Sequence, residues 1–186
     1  MTTRVEEPRR AELVLAEAVP ILQRTPFVLR SLLADLSDLW VRATEGGDSW
    51  SPFDVIGHLV HGERTDWIPR VELILNRGED ATFEPFDRFA MFEASRGKSL
   101  AELLATFEEL RAGNLRRLAG LRIQPADLAR RGRHPELGPV TLGELVASWV
   151  VHDLNHISQI ARVMGRRYTA AVGPWQVYLP LLHDRR

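Results

Sequence analysis

Three short stretches fix where helices must begin in this chain. Ser51-Pro52-Phe53-Asp54, Ser99-Leu100-Ala101-Glu102 and Thr141-Leu142-Gly143-Glu144 each put a hydroxyl residue three positions ahead of a carboxylate, at the head of an apolar-periodic run. In such a box the hydroxyl accepts from an amide of the first turn and the carboxylate accepts from the amide of the capping residue. Pro52 adds a residue whose fixed φ and missing N–H suit the first helical position. Phased by these starts, helices are expected from Ser51 to about Leu75, from Ser99 to about Leu121 and from Thr141 to about Met164. The stretch from about Ala11 to Ala43 is also helically periodic but contains Pro20 and Pro26. A proline inside a helix removes a hydrogen bond and crowds the preceding turn. A short leading segment, a break near Thr25-Pro26 and a main first helix from Phe27 to Val41 are therefore expected, burying Leu29, Leu32, Leu33, Leu36 and Trp40.

No segment alternates like a half-buried strand over a useful length. The expectation is an all-α four-helix bundle forming a single domain over residues 1–186, with a long connection between the second and third helices and a short C-terminal helix at Pro174 to Leu182. That connection, Glu79 to Lys98, reads as loop with a short helical turn at Phe86 to Phe92. Its phenylalanines, Phe83, Phe86, Phe89 and Phe92, read as a lid packed on one end of the bundle, or as a contact for a cofactor or substrate. Gln124 to Val140, with three prolines and two glycines, reads as an ordered loop.

Composition narrows the chemistry. With a formal net charge of -1, the chain offers no general attraction to nucleic acid. It has no cysteine, so any metal must be held by His and carboxylate, and a thiol nucleophile is excluded. The opening Met1 to Arg10 lacks the apolar stretch of a signal peptide, and no segment approaches the length of a membrane span. A cytoplasmic setting is the expectation.

The fourth helix carries His152 and His156. Four residues apart, they share one face, and that face is the apolar stripe of Leu145, Trp149, Ile160 and Val163. Two inward imidazoles are either hydrogen-bonded core residues or half of a metal site, and a site needs a third ligand. The other histidines are His58, His61, His134 and His183. His183 reads as solvated tail, and His134 lies in a loop able to overhang the site. On a helical wheel His58 falls away from Ile56, Val60 and Trp67, with His61 only somewhat nearer, so periodicity leaves the choice open.

Two motifs together resemble the DinB-like (DinB/YfiT) metal-binding proteins. Trp50-Ser51-Pro52 through Val55-Ile56-Gly57-His58-Leu59 is similar to their opening motif. His134-Pro135-Glu136-Leu137-Gly138-Pro139-Val140-Thr141-Leu142, continuing to Trp149 and His152-Asp153-Leu154-Asn155-His156-Ile157-Ser158-Gln159-Ile160, is similar to their closing one. The resemblance spans roughly Phe27 to Leu182. It implies one divalent metal ion, zinc or nickel, held by His58, His152 and His156, and it implies a homodimer. His61 departs from the family pattern and reads as an exposed helix residue in preference to a support for the ligands. Glu63 reads as a support for the ligands or as an ion-pair residue, and Asp153 as a structural anchor or an orienting group. The run His152-Asp153-x-x-His156 falls short of the zincin pattern, because Asp replaces Glu and no further ligand follows at zincin spacing.

Three neutral imidazoles leave a metal open positions, the pattern of a catalytic site. The resemblance implies a thiol-dependent S-transferase or a hydrolase acting on a small molecule, with a low-molecular-weight thiol as a candidate partner and neither nucleic acid nor membrane involved. The alternatives are a non-catalytic metal- or ligand-binding stress-response dimer, and a structural dimer module that binds no metal.

Overall fold

Each of the three boxes forms as written. In the computed structural model, which describes residues 15–183, the Ser51 hydroxyl accepts from Asp54 N (3.2 Å) while Asp54 Oδ2 accepts from Ser51 N (2.9 Å). The same reciprocal bonds join Ser99 to Glu102 and Thr141 to Glu144. They open α3 (Pro52–Thr65), α6 (Leu100–Gly120) and α7 (Leu142–Arg166), preceded by α1 (Leu15–Leu33) and the single turn α2 (Asp38–Val41). The charged opening residues and the expected start near Ala11 lie outside the described residues.

Two helix boundaries differ from expectation. Helix α1 runs through Pro20 and Pro26, and the chain breaks after Leu33 instead, where Asp35 takes a positive φ of 61°. Pro26 has no N–H for the carbonyl of Leu22, four residues back. That carbonyl accepts from Arg111 Nη1 of α6 at 2.7 Å, so a long-range partner replaces the missing helical bond. The second helix, expected to reach Leu75 unbroken, splits at Asp66, and α4 (Trp67–Arg77) follows. Pro69 in the first turn of α4 cannot donate to Thr65 and gives the reason.

The bundle is formed by α1, α3 with α4, α6 and α7, as expected. Helix α1 packs on α6 and α7, and α3 packs on the same two, so α1 and α3 face each other across the bundle. The interior has two apolar clusters. One gathers Leu22, Trp67, Val71, Leu115, Leu142 and Trp149; the other gathers Leu29, Val55, Ile56, Leu103, Phe107 and Ile160. On every helix the residues between the clusters are polar and buried: Thr25, Glu63, Arg111, Asp153 and His156. A polar layer therefore crosses the middle of the bundle, and the candidate site lies in it.

The connections hold further corrections. The Phe-rich stretch forms the short helix α5 (Ala90–Ser95), later than expected. Only part of it packs as a lid: Phe83 is buried and Phe86 half-buried, whereas Phe89 and Phe92 are 63% and 45% exposed. Residues after Gln124, expected to be loop, include an antiparallel hairpin, β1 (Arg131–His134) and β2 (Gly138–Thr141). Its inward residue is Gly132, where a Cβ would lie 2.7 Å from Ile74 Cγ1 and 2.9 Å from Phe83 Cε1. A glycine facing the core leaves no apolar alternation to read, which hid the strands. The closing helix is present as two 3₁₀ turns, Gly173–Tyr178 and Pro180–Leu182. No helix among the described residues is long and apolar enough to cross a membrane.

Candidate metal centre

His58 of α3 meets His152 and His156 of α7 in the polar layer. His58 Nε2 and His152 Nε2 are 2.9 Å apart, His152 Nε2 and His156 Nε2 are 3.1 Å apart, and all three donor nitrogens lie within 4.8 Å of one another. The wheel argument against His58 fails because α3 is buried almost all round: every residue from Pro52 to Val60 except Asp54 is buried. Gly57 lets α5 cover the side that the wheel assigns to solvent, since a Cβ there would sit 2.5 Å from Ser95 Oγ. Trp50 and Phe86 complete the cover, with ring centroids 4.8 and 5.4 Å from that of His58.

The rings are held neutral. Burial pulls the pKa of His58 down to about 3, assisted by repulsion from His156, His61 and Arg88. Burial likewise pulls His152 down to about 2, with His156, His58 and Arg111 adding to it. His156 is also lowered, by burial first, against an opposing hydrogen bond from Gln159 and the charge of Asp153. Neutral imidazole is the form that ligates metal. His156 Nδ1 lies 2.9 Å from Gln159 Oε1; donation along that contact puts the proton on Nδ1 and leaves Nε2 free as a ligand. Among the described residues, the buried Nδ1 atoms of His58 and His152 have no hydrogen-bond partner.

The donor set fits a divalent ion. Bonds of roughly 2.0–2.1 Å at tetrahedral angles place ligand nitrogens about 3.4 Å apart. The two contacts of His152, 2.9 and 3.1 Å, need to lengthen by only a few tenths of an ångström, and no pair of donors is more than 4.8 Å apart.

Glu63 and Asp153 do not join the cluster. Both bind Arg111, which is 1% exposed and uses all five of its N–H donors. Nη1 donates to Leu22 O (2.7 Å) and Asp153 Oδ2 (2.6 Å), Nη2 to Asp153 Oδ1 (3.0 Å) and Glu63 Oε1 (2.7 Å), and Nε to Glu63 Oε1 (3.1 Å). Asn114 Nδ2 donates to Glu63 Oε2 (2.9 Å) and Trp149 Nε1 to Glu63 Oε1 (3.1 Å). Burial raises the pKa of Glu63 against the opposing pull of Arg111. The network reaches the site through stacked indoles: Trp149 lies on Trp67 at 5.5 Å, and Trp67 meets His152 at 5.1 Å.

The remaining histidines stay outside. His61, expected to be exposed, is half-buried against Phe86 at 5.0 Å because the connection folds back over α3. His134 does not overhang the site; its Nδ1 accepts from the amides of Glu136 and Leu137 within the hairpin turn. His183 is exposed, as expected, and its Nε2 lies 2.9 Å from Gln176 O.

A family model described as the DinB superfamily matches residues 21–160, which take in all three histidines of the cluster. The chain belongs to the DinB superfamily. A relative from Oceanobacillus iheyensis, named "Putative metal-dependent hydrolase", is 22% identical over 156 residues, covering 83% of this chain and 88% of its own length. The fold is similar to that of YfiT from Bacillus subtilis (TM-score 0.72, 21% identity, 87% of this chain and 93% of that one). That structure is described as "a probable metal-dependent hydrolase with an unusual four-helix bundle topology". Two side chains that surround the cluster in this DinB-superfamily chain are not recognisable from the sequence by themselves. Arg111 looks like one more charge on an amphipathic helix, and Gln159 is recognisable only once the His156 ring has an orientation.

Proposed function

We propose that this chain is a metal-dependent hydrolase acting on a small molecule, with one divalent ion held by His58, His152 and His156. The observation that carries the reading is the convergence of three neutral Nε2 atoms from two helices, two of them on buried rings and the third on the half-buried His152. An all-imidazole donor set suits zinc or nickel. Such an ion supplies Lewis-acid polarisation and acidifies whatever oxygen or sulfur atom it holds.

The chain's own residues set the surroundings. Trp50 and Phe86 exclude water on the His58 side. His152 is the least buried of the three and lines an open groove of about 560 Å³ with Ser148, Val151 and Asn155. A small substrate enters by that side in this reading. Asp153 and Glu63 are engaged by Arg111 and so do not serve as bases; Gln159 holds the His156 ring in the ligating tautomer. The relative named as a metal-dependent hydrolase supports the reaction class. The same centre could hold a low-molecular-weight thiol for S-transfer, so a thiol and an electrophile belong in the assay. A homodimer is part of the same proposal, supported by the exposed Trp175, Val177 and Tyr178 beyond α7.

The test uses untagged protein. Elemental analysis should give one zinc or nickel per chain, and a panel of esters and amides should be hydrolysed by wild type, with loss on chelation and in His152→Ala. Substoichiometric metal, with no rise in melting temperature on adding either ion, would sink the reading, because an ion that binds only the native state must stabilise it.

A further inference from the structure

A second cavity, of about 510 Å³, opens where the residue after α2 meets the turn between α5 and α6, and no histidine lines it. Its walls are of two kinds. Phe53, Met91 and Phe92 give an apolar floor, while Arg42, Arg96 and Lys98 bring positive charge to the rim. Arg42 sits over Phe53, its guanidinium carbon 3.8 Å from the ring centroid. The ring face holds the cation over the floor of the cavity, and the guanidinium N–H groups remain able to donate to an acceptor. Among the described residues, neither Arg42 nor Lys98 has a carboxylate within ion-pair distance, whereas Arg96 pairs with Glu93 on the surface. The acid in the lining, Asp54, has Oδ2 occupied by the amide and hydroxyl of Ser51. Gly97, with φ 73°, turns the chain sharply enough to bring Arg96 and Lys98 to the same rim.

We propose that this cavity binds a small organic anion, a carboxylate or phosphate head carried on an apolar body. The head is met by Arg42 and by Lys98, and the body rests on Met91 and Phe92. The site is separate from the histidine cluster and does not depend on a metal. The two share only the seam where Ser95 of α5 lies against Gly57 of α3.

Isothermal titration of the full chain with phenyl phosphate, phenylacetate and the neutral 2-phenylethanol tests the proposal. Saturable binding of at least one anion, at least about tenfold tighter than the alcohol, is expected from a charge-assisted contact. The preferred head group identifies the class. Affinity should be unchanged after chelation and in His152→Ala, and should fall by about tenfold or more in Arg42→Gln/Lys98→Gln. Lys98→Glu reverses a half-exposed charge without touching the packing of Phe53, so it serves if the double variant melts early. Binding that survives Lys98→Glu undiminished, binding that disappears on chelation, or no binding of either anion would overturn the proposal.

Discussion

Two groups of buried polar side chains share the middle layer of the bundle, and they differ in completeness. Around Arg111 every donor and acceptor is used: five guanidinium N–H groups, both Asp153 oxygens and both Glu63 oxygens have partners. Around His58, His152 and His156, three nitrogens of similar character face one another, and two Nδ1 atoms have no partner among the described residues. A closed network of charges is how a protein ties helices together without leaving desolvated groups unpaired. An open cluster of neutral donors is a standing cost unless something else completes it. The contrast sets the first group with the fold and supports the proposal that the second holds an ion. The two are also coupled: the charge of Arg111 helps to lower the pKa of His152, while that of Asp153 acts in the opposite sense on His156.

The largest effect should come from opening the closed network. Arg111→Met takes from the Asp153 carboxylate and the Leu22 carbonyl the donor that holds them and leaves the buried Glu63 carboxylate with Asn114 and Trp149 but no counter-charge. Removing one partner of a buried ion pair costs roughly 3–5 kcal/mol, so the variant should unfold at far lower urea or fail to fold. Replacing Glu63 and Asp153 by leucine in the same chain should restore much of the loss. A drop below about 1 kcal/mol for Arg111→Met alone would show that the network does not hold the fold.

Acid separates the two groups next. Unfolded imidazoles take up protons near pH 6.5, while folded His58 and His152 resist down to about 3 and about 2. Between those values the unfolded state binds more protons, so the contribution of these rings is full above about pH 6.5 and is lost as pH falls, by up to about 1.4 kcal/mol per pH unit for each group. Asp66 works in the opposite sense. Its carboxylate is 2.6 Å from Arg70 Nε but Oδ1 lacks a well-aligned hydrogen bond, and burial pushes its pKa up to about 6. That contribution is present in acid and lost as pH rises through 6, and the raised Glu63 has the same sign. A variant comparison removes the opposing carboxylates from the reading. Metal-free His152→Leu should lose about 2 kcal/mol less than metal-free wild type between pH 7 and pH 5, measured by urea unfolding at both values. Equal losses would mean that His152 is protonated in the folded protein.

Gln159→Leu probes the open cluster without altering a ligand. It removes the acceptor that keeps the His156 proton on Nδ1. Loss of such an outer partner lowers metal affinity about 10- to 100-fold, measurable by competition with a chromogenic chelator. The urea midpoint of the metal-free variant should move little. Wild-type metal affinity together with a lower midpoint would make Gln159 part of the fold instead.

What could be read in advance follows the range of the interaction involved. Capping boxes are local, and Ser51, Ser99 and Thr141 all open helices as written. The His152 and His156 pair is one helical turn apart and is equally local. His58 was legible by family resemblance but not by wheel, because burial on every side of α3 removes the polar face that a wheel needs. The Leu22–Arg111 bond joins residues 89 apart, so nothing near Pro26 announces that its helix continues. Pro69 was local, yet the long apolar period of the second helix masked it. The hairpin is hidden by a glycine where a strand normally shows an apolar side chain, and the lid is smaller than four phenylalanines suggest because Phe89 and Phe92 pair with each other on the surface.

The smallest and sharpest test asks whether the histidine cluster contributes anything to the folded state when no ion is bound. His152 has a buried Nδ1 with no partner among the described residues and lies edge-on to Trp67. Leucine at this position gives up the contacts between ring nitrogens but removes the orphaned atom and keeps an apolar body against the indole. Replacing a polar group by an apolar one of similar shape is close to neutral or stabilising when its hydrogen bonds are incomplete. Metal-free His152→Leu should therefore match wild type at pH 7 or exceed it by up to about 1 kcal/mol, and should lack the melting-temperature rise expected of wild type on adding zinc or nickel. A clear loss of stability in the metal-free variant would place His152 with Arg111 among the groups that hold the bundle together, and the division of the polar layer into a structural half and a ligand half would fail at that residue.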